Sequence, residues 1–156
     1  MPMKIGDPRP SFEGAADWLN QLDCTIDEHL GGRPALVYFW ALSCEICKQK
    51  FPQLNELKAK YKPLGLGTVA VHMPRYETDT EIEKVKAAIA EHSIDDACAI
   101  DNEHKLREAF LNEQGWVPVY YLFDAEGKLK TRAAGEFGLG IIQQALEKMF
   151  ASQVTA

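Results

Sequence analysis

The feature that most constrains this chain is a pair of cysteines at the point where an apolar strand pattern changes to a helical one. Residues 35–42 form the longest apolar run, and their short length and three aromatic side chains are typical of a buried strand. The cysteines of a C-x-x-C motif, Cys44 and Cys47, follow directly. Apolar side chains then recur at helical spacing: Cys47, Phe51, Leu54, Leu57 and Tyr61. The motif therefore lies at a helix N-terminus, where unpaired backbone N–H groups and the helix dipole favour a thiolate.

The rest of the sequence alternates between strand and helix patterns. Apolar runs predict further strands over residues 65–72, 97–100, 117–124 and 128–134. Helical spacing predicts helices over residues 78–92, from a cap at 101–102 to 110, and over 139–150. This order, β-α-β-α-β-α-β-β-α, predicts an α/β fold with a mixed sheet and helices on both faces. Residues 1–34, rich in Pro and Gly, are expected to form loops and one short hairpin. With no repeat and no linker, the 156 residues predict a single domain spanning 1–156.

Charge and hydropathy exclude several functions. The chain has 17 basic and 23 acidic residues, a net charge of −6, and no basic tract, so nucleic acid and anionic membranes are not expected as partners. No stretch approaches the roughly 20 apolar residues of a membrane span. The first residues lack the apolar segment of a signal peptide, which predicts a cytoplasmic location. An exported form with its signal removed would have the same pattern.

The four cysteines, Cys24, Cys44, Cys47 and Cys98, are too few for a disulfide-stapled scaffold. The C-x-x-C supplies half of a tetrahedral zinc site, and the other two cysteines are isolated, as small buried residues often are. An inert disulfide is unusual in a chain without an export signal. A redox-active dithiol is the favoured interpretation: Cys44 is the nucleophile, and Cys47, one helical turn further on, resolves the mixed disulfide. No metal or other cofactor is expected.

The segment FWALSCEICKQKFPQL resembles the active-site segment of thioredoxin-like proteins. It is most similar to the TlpA/ResA branch of the thiol-disulfide oxidoreductases. Pro52, five residues after Cys47, matches the helix-kinking proline of that family. The stretch GWVP, which contains Val117 and Pro118, resembles its cis-proline loop, and LFDAEGK resembles its β-hairpin. The resemblance extends from about residue 6 to the last predicted helix.

This resemblance implies a thioredoxin-like fold and the reduction or exchange of protein disulfides. The implied partners are protein thiols and disulfides and a thiol electron donor, and no cofactor is implied. The family pattern also implies a cis Val117–Pro118 bond opposite Cys44, with the Val117 backbone free to pair with an extended substrate. Trp40 is expected both to pack in the interior and to line the substrate groove.

Several positions depart from the family pattern. Ser43 stands where many relatives carry Trp, which removes one wall of the groove. Tyr38 and Lys50 stand where relatives carry an acidic residue, so the usual proton acceptor for the second cysteine is absent. The residues between the cysteines are Glu45 and Ile46 rather than Gly and Pro. The carboxylate of Glu45 disfavours the thiolate and Lys50 favours it, so both are candidates for tuning the dithiol.

Two other functions remain as alternatives. A peroxiredoxin-type peroxidase would carry Pro and Thr or Ser ahead of its reactive cysteine, where this chain has Val37 and Ala41. A thioredoxin-fold binding module would hold Cu(I) through the two thiolates, or a partner protein, and stoichiometric metal after purification would favour it. His72, at the end of a predicted strand, is expected to be structural, with proton transfer near the dithiol as the alternative.

Overall fold

The computed structural model describes residues 1–154, and Thr155 and Ala156 of the predicted domain lie outside the described residues. The strands are β1 (Asp17–Leu19), β2 (Ala35–Trp40), β3 (Gly67–His72), β4 (Cys98–Ile100), β5 (Val119–Phe123) and β6 (Leu129–Ala134). The helices are α1 (Ile26–Leu30), α2 (Glu45–Tyr61), α3 (Ile82–Glu91), α4 (Lys105–Ala109), α5 (Gly138–Met149) and α6 (Ala151–Val154). Two 3₁₀ turns occupy Lys62–Leu64 and Glu77–Thr80.

The strand that precedes the cysteines lies at the centre of the sheet. The strand order is β1-β4-β3-β2-β5-β6. β2 and β3, and β3 and β4, pair in parallel, whereas β1, β5 and β6 run antiparallel to their neighbours. Every residue of β2 is buried, as expected for a central strand covered on both faces. The register sets Trp40 beside His72 and Phe39 beside Val119, so β2 and β3 end, and β5 begins, at the same edge of the sheet.

Helices cover both faces of this sheet, as predicted. Trp40 packs edge-on against Phe51 of α2, with ring centroids 5.5 Å apart. Its neighbour Phe39 contacts Phe110, at the end of α4, over 5.3 Å. Because adjacent strand residues point to opposite faces, α2 and α4 lie on opposite sides of the sheet. None of the helices within residues 1–154 is long and apolar enough to cross a membrane.

The N-terminal region differs from the prediction of loops and a hairpin. β1 pairs with β4 in an antiparallel ladder, with Asp17 opposite Ile100, so the predicted hairpin was wrong. Helix α1 follows Thr25, whose hydroxyl accepts a hydrogen bond from the backbone N–H of Glu28 over 3.1 Å. A three-residue strand is too short to show an alternating pattern, and its partner lies far along the chain. Hydrophobic periodicity therefore could not predict β1 or the five-residue helix α1.

Several predicted boundaries also shift, and two of the shifts bear on the region of the site. The helix expected over 78–92 begins at Ile82, because Glu81 has an extended backbone that separates α3 from the 3₁₀ turn before it. The strand expected from residue 117 begins at Val119, because Pro118 has no backbone N–H to donate to the ladder. The two residues released from this strand become part of a loop at the sheet edge.

A buried charged cluster joins β2, β3, the segment before β4 and the end of α2. The Asp96 carboxylate accepts hydrogen bonds from the Tyr38 hydroxyl and the Lys58 ammonium, each over 2.7 Å, and from the Thr68 hydroxyl. Lys62 adds a second cation, 2.6 Å away. Burial alone would raise the pKa of Asp96, but the charges of Lys58 and Lys62 outweigh it and lower the pKa to about 2. Asp96 is therefore ionised at neutral pH.

We expect Asp96→Asn to lower the free energy of unfolding at pH 7 by about 3–5 kcal/mol, because it removes the buried carboxylate of the cluster and leaves the buried Lys58 charge paired only with the exposed Asp95. The pKa of Asp96 is lower in the folded protein than its ordinary value of 3.8, so its contribution is complete above pH 3.8. That contribution is lost as the pH falls towards about 2. Urea unfolding at a series of pH values should therefore show the gap between parent and variant closing below pH 4.

Asp95→Asn is the matched control, because Asp95 pairs with the same lysines while its side chain is 71% exposed. Its effect should stay within about 1 kcal/mol. If the two variants lost the same free energy of unfolding, the burial of Asp96 would not be the reason that its ion pairs stabilise the fold.

Candidate active site

The two cysteines of the C-x-x-C motif form a disulfide at the N-terminus of α2. Cys44 caps the helix, since its sulfur accepts a hydrogen bond from the backbone N–H of Cys47 over 3.1 Å. The same N–H and the helix dipole stabilise a thiolate on Cys44 once the disulfide is reduced. In the disulfide form both residues are 2% exposed. Neither cysteine is therefore more exposed than the other in this form, because the bond holds both sulfurs against the helix end.

The loop that leads from β2 to Cys44 is held by His72 at the end of β3. The backbone N–H of Leu42 donates to Nε2 of His72 over 3.1 Å. The imidazole is fully buried, and Trp40 packs edge-on against it with ring centroids 4.7 Å apart. Burial lowers the pKa of His72 to about 4, so near pH 7 the ring is neutral and Nε2 remains an acceptor. His72 thus positions the loop, and a group with this pKa is a poor proton carrier at neutral pH.

Ser43 ties the same loop to the segment that follows β3. Its hydroxyl donates to the Asp79 carboxylate over 2.7 Å and accepts from Nε of Arg75 over 3.1 Å. Asp79 also accepts from the backbone N–H groups of Arg75 and Tyr76, over 3.0 and 3.4 Å. Where the family pattern has an apolar Trp, this chain therefore has a polar cross-link between two loops.

The loop before β5 lies beside the dithiol. The Val117–Pro118 peptide bond is cis, which confirms the expectation from the family pattern. Pro118 and Cys47 line the same small cavity of about 10 Å³. Within residues 1–154, the backbone N–H and C=O of Val117 have no hydrogen-bond partner. These two groups therefore remain available for pairing at the edge of the sheet where β2 ends.

Asn112, absent from the predicted site residues, holds this loop in place. Its fully buried amide accepts from the backbone N–H of Trp116 over 3.1 Å and donates to the Trp116 C=O over 3.0 Å. The same amide lies 3.7 Å from the sulfur of Met73, in the segment after β3. One side chain therefore fixes the residue before Val117 and connects two loops of the site.

The other predicted site residues differ in exposure. Glu45 is exposed, with its carboxylate 3.8 Å from the ammonium of Lys48, Ile46 is also exposed, and Lys50 is half-buried. Trp40 is 1% exposed and packs in the core. The expected packing role of Trp40 is confirmed. Its expected contact with a substrate groove is not supported, because a ring closed off from solvent has no face for a docked peptide.

The cavity beside Cys47 has two ionisable neighbours among the described residues, Tyr38 and Tyr120. Burial raises the pKa of both phenols, and the Asp96 carboxylate raises that of Tyr38 further. Asp96 itself, with a pKa of about 2, is a weak base. Neither the cavity nor the charged cluster behind it therefore offers Cys47 a proton acceptor at neutral pH, in agreement with the sequence.

The remaining two cysteines are unpaired. Cys98 is buried, which raises the pKa of its thiol to about 12 and makes it unreactive. Cys24 is exposed, so the expectation that both are buried is right for Cys98 and wrong for Cys24. In the part of the chain that the structure describes, no group of three or more His, Cys, Asp or Glu residues is arranged to hold a metal ion.

A dithiol at a helix N-terminus, facing a cis-proline loop across the edge of a mixed sheet, is characteristic of thioredoxin-like thiol-disulfide oxidoreductases. Comparisons with known proteins place the chain in this class. The model of the Redoxin family matches residues 4–146, and the chain therefore belongs to that family.

Named relatives agree with this assignment. Thiol-disulfide oxidoreductase YkuV of Bacillus subtilis (strain 168) is 40% identical over 149 residues, which cover 96% of this chain and 98% of the relative. Thiol-disulfide oxidoreductase ResA of Bacillus anthracis is 29% identical over 139 residues, which cover 86% of this chain and 72% of the relative. The solution structure of a thioredoxin-like protein in its oxidized form superposes with a TM-score of 0.84 at 39% identity, covering 96% of this chain and 99% of that one.

We expect Asn112→Leu to reduce kcat/KM for a protein disulfide about tenfold while leaving turnover of a small disulfide within about twofold. The apolar side chain cannot pair with the backbone of Trp116, so the loop that carries Val117 loses its anchor. Unpairing these buried groups should also lower the free energy of unfolding by about 2–4 kcal/mol. Parallel assays with a protein disulfide and a small aromatic disulfide measure the difference.

Asn55→Leu provides the comparison, because Asn55 also bonds a backbone carbonyl, that of His92, but away from this loop. It should lose stability without changing the ratio of the two activities. If Asn112→Leu slows both substrates equally, Asn112 does not position a substrate-binding loop.

Proposed function

We propose that this thiol-disulfide oxidoreductase acts as a reductase of protein disulfides in the cytoplasm, with a thiol donor as its source of electrons. The observation that carries the proposal is the Cys44–Cys47 pair at the N-terminus of α2, beside a loop in which the Val117 backbone is unpaired. The pair supplies two electrons. The loop supplies hydrogen-bonding groups for the polypeptide that carries the disulfide.

The reaction proceeds by two thiolate exchanges. The Cys44 thiolate attacks one sulfur of the substrate disulfide, and the other substrate sulfur leaves as a thiolate. Cys47 then attacks the Cys44 sulfur of the mixed disulfide, and the second substrate sulfur leaves. The substrate gains two electrons and two protons, and the protein is left with the Cys44–Cys47 disulfide. A thiol donor returns two electrons by the same exchange.

The proton of Cys47 goes to the substrate rather than to the protein. Neither Tyr38 nor Asp96 is suited to accept it at neutral pH, because the phenol has a raised pKa and the carboxylate a pKa of about 2. The substrate thiolate released in the first exchange is a base of ordinary thiol strength at the same place. Its protonation by Cys47 creates the second nucleophile.

An extended segment of the substrate pairs with the loop before β5. The unpaired N–H and C=O of Val117 suit the backbone of an added strand, which makes recognition independent of side chains. Trp116 beside it is 50% exposed, and Ile46 lies between the two cysteines with its side chain at the surface. Apolar residues next to the substrate cysteine would contact these two side chains.

Cys24 supports both the reducing direction and the cytoplasmic location. It is an exposed thiol without a disulfide partner. Exposed thiols become oxidised or paired in oxidising compartments, whereas cytoplasmic thiol pools keep them reduced. The same thiol pools would reduce the Cys44–Cys47 disulfide after each turnover. The net charge of −6 argues against nucleic acid and anionic membranes as further partners.

We expect Cys44→Ser to abolish reduction of a protein disulfide and Cys47→Ser to accumulate a mixed disulfide through Cys44. The first variant lacks the nucleophile, and the second lacks the thiol that releases the substrate. Turnover with dithiothreitol as donor and mass spectrometry of the trapped species measure these outcomes, in a Cys24→Ser background that removes the exposed thiol. A Cys47→Ser variant that turned over like its parent would refute the resolving role.

The direction of electron flow is tested by equilibrating the pair with a glutathione or dithiothreitol buffer. A potential near ~−270 mV, as in thioredoxin, is expected, whereas a value near ~−120 mV would make the protein an oxidant. Stoichiometric copper in the purified protein together with no turnover would instead favour the Cu(I)-binding alternative.

A further inference from the structure

Asp79 is a buried carboxylate next to the dithiol loop. It is 2% exposed, and a single oxygen, Oδ2, accepts all three of its hydrogen bonds. The donors are the Ser43 hydroxyl and the backbone N–H groups of Arg75 and Tyr76, all of them neutral. In the described part of the chain, no cationic side chain forms an ion pair with it. The negative charge of Asp79 is therefore solvated by dipoles but not cancelled.

The carboxylate is ionised under working conditions. Burial opposes ionisation, but the hydrogen bonds from the Arg75 backbone and the Ser43 hydroxyl outweigh it, and the pKa of Asp79 lies below its ordinary value. Asp79 therefore carries a full charge near pH 7.

This charge lies close to the nucleophile. Ser43 precedes Cys44 in the chain, and its hydroxyl is 2.7 Å from the Asp79 carboxylate, so covalent geometry limits the distance from that carboxylate to the Cys44 sulfur to about 12 Å. A buried charge at this range is weakly screened by salt. Arg75, whose Nε bonds the same hydroxyl, is exposed, so its opposing field is weaker and more easily screened.

We propose that the Asp79 carboxylate sets how readily the Cys44–Cys47 disulfide is reduced, and that Arg75 opposes it across Ser43. The proposal rests on the dithiol function described above and concerns its tuning. Asp79 disfavours the thiolate of Cys44, which destabilises the reduced form and makes the pair a stronger reductant. Arg75 favours the thiolate and acts in the opposite direction.

The effect is confined to the ionised form of the dithiol. Reduction of the disulfide takes up two electrons and two protons when Cys44 ends as a thiol, but two electrons and one proton when it ends as a thiolate. A nearby charge changes the free energy of the thiolate and leaves that of the neutral thiol almost unaltered. The influence of Asp79 should therefore be present above the titration midpoint of Cys44 and vanish below it.

Other charges surround the dithiol, and the experiment must separate them from Asp79. The segments next to the dithiol in the chain or in the fold carry these charged or titratable groups: Glu45, Lys48 and Lys50 on α2, His72 on β3, Arg75, Tyr76, Glu77 and Asp79 after β3, and Tyr38 and Tyr120 on the strands that line the cavity beside Cys47. Glu45 is the sharpest comparison, because it adjoins Cys44 directly but its side chain is 79% exposed.

The test is Asp79→Asn, whose amide oxygen can still accept the three hydrogen bonds while the charge is removed. We expect the midpoint of the pH dependence of Cys44 alkylation to fall by about half a pH unit or more. At pH 8 the equilibrium with a glutathione buffer should shift about threefold or more towards the dithiol. The shift should disappear at pH values below the midpoint. Arg75→Gln should move both quantities the other way, by less, and its effect should fade at high salt.

Glu45→Gln controls for the removal of any nearby negative charge, and it should shift the midpoint by less than Asp79→Asn does. An unchanged or raised midpoint in Asp79→Asn, or shifts of the same sign in the Asp79 and Arg75 variants, would overturn the proposal. If Asp79→Asn does not fold, Arg75→Gln tests the proposal by itself. An alkylation midpoint of Cys44 that stayed constant or fell in Arg75→Gln would refute the claim that Arg75 opposes Asp79. Alkylation needs no protein substrate, so failure of the proposed reductase activity would leave this measurement interpretable.

Discussion

The site depends on the complete burial of β2 between β3 and β5. A strand without a solvent-facing side has a single permitted register, because a shift of one residue would exchange the sets of side chains packed on its two faces. That register fixes where the chain leaves the sheet and enters α2. It also brings the ends of β2 and β3 and the start of β5 to one edge. The dithiol and the Val117 loop are therefore neighbours because of strand order, before any side chain of the site makes a contact.

Those parts of the structure that depend on local pattern were predictable from the sequence. The apolar run at residues 35–42 and the helical spacing after Cys47 predicted β2 and α2 and located the dithiol between them. The cis Val117–Pro118 bond required more than local pattern, since proline alone leaves the isomer open. It followed from the combination of GWVP with the C-x-x-C and Pro52, which together resemble one family.

The side chains that hold the loops were not predictable, because their partners are distant in sequence. Asp79 lies 36 positions from Ser43, and on its own it resembles any acidic residue ahead of an amphipathic helix. Asn112 lies in a polar turn, and nothing in its neighbours indicates that both of its amide atoms bond Trp116. A search for periodicity assigns such residues to caps and loops. Their role becomes visible only once the fold has brought the segments together.

Two buried aspartates show how the same side chain serves different ends in this fold. Asp96 is surrounded by cations, so its charge is neutralised within the cluster and its field does not reach far beyond Lys58 and Lys62. Asp79 is held by neutral donors alone, so its hydrogen bonds stabilise the charge without cancelling it. A carboxylate solvated by dipoles still acts at a distance through Coulomb's law, whereas a paired one acts largely on its partners. Asp96 is therefore suited to joining strands to a helix. Asp79, which is hydrogen-bonded to the residue before the nucleophile, is suited to influencing the charge of Cys44.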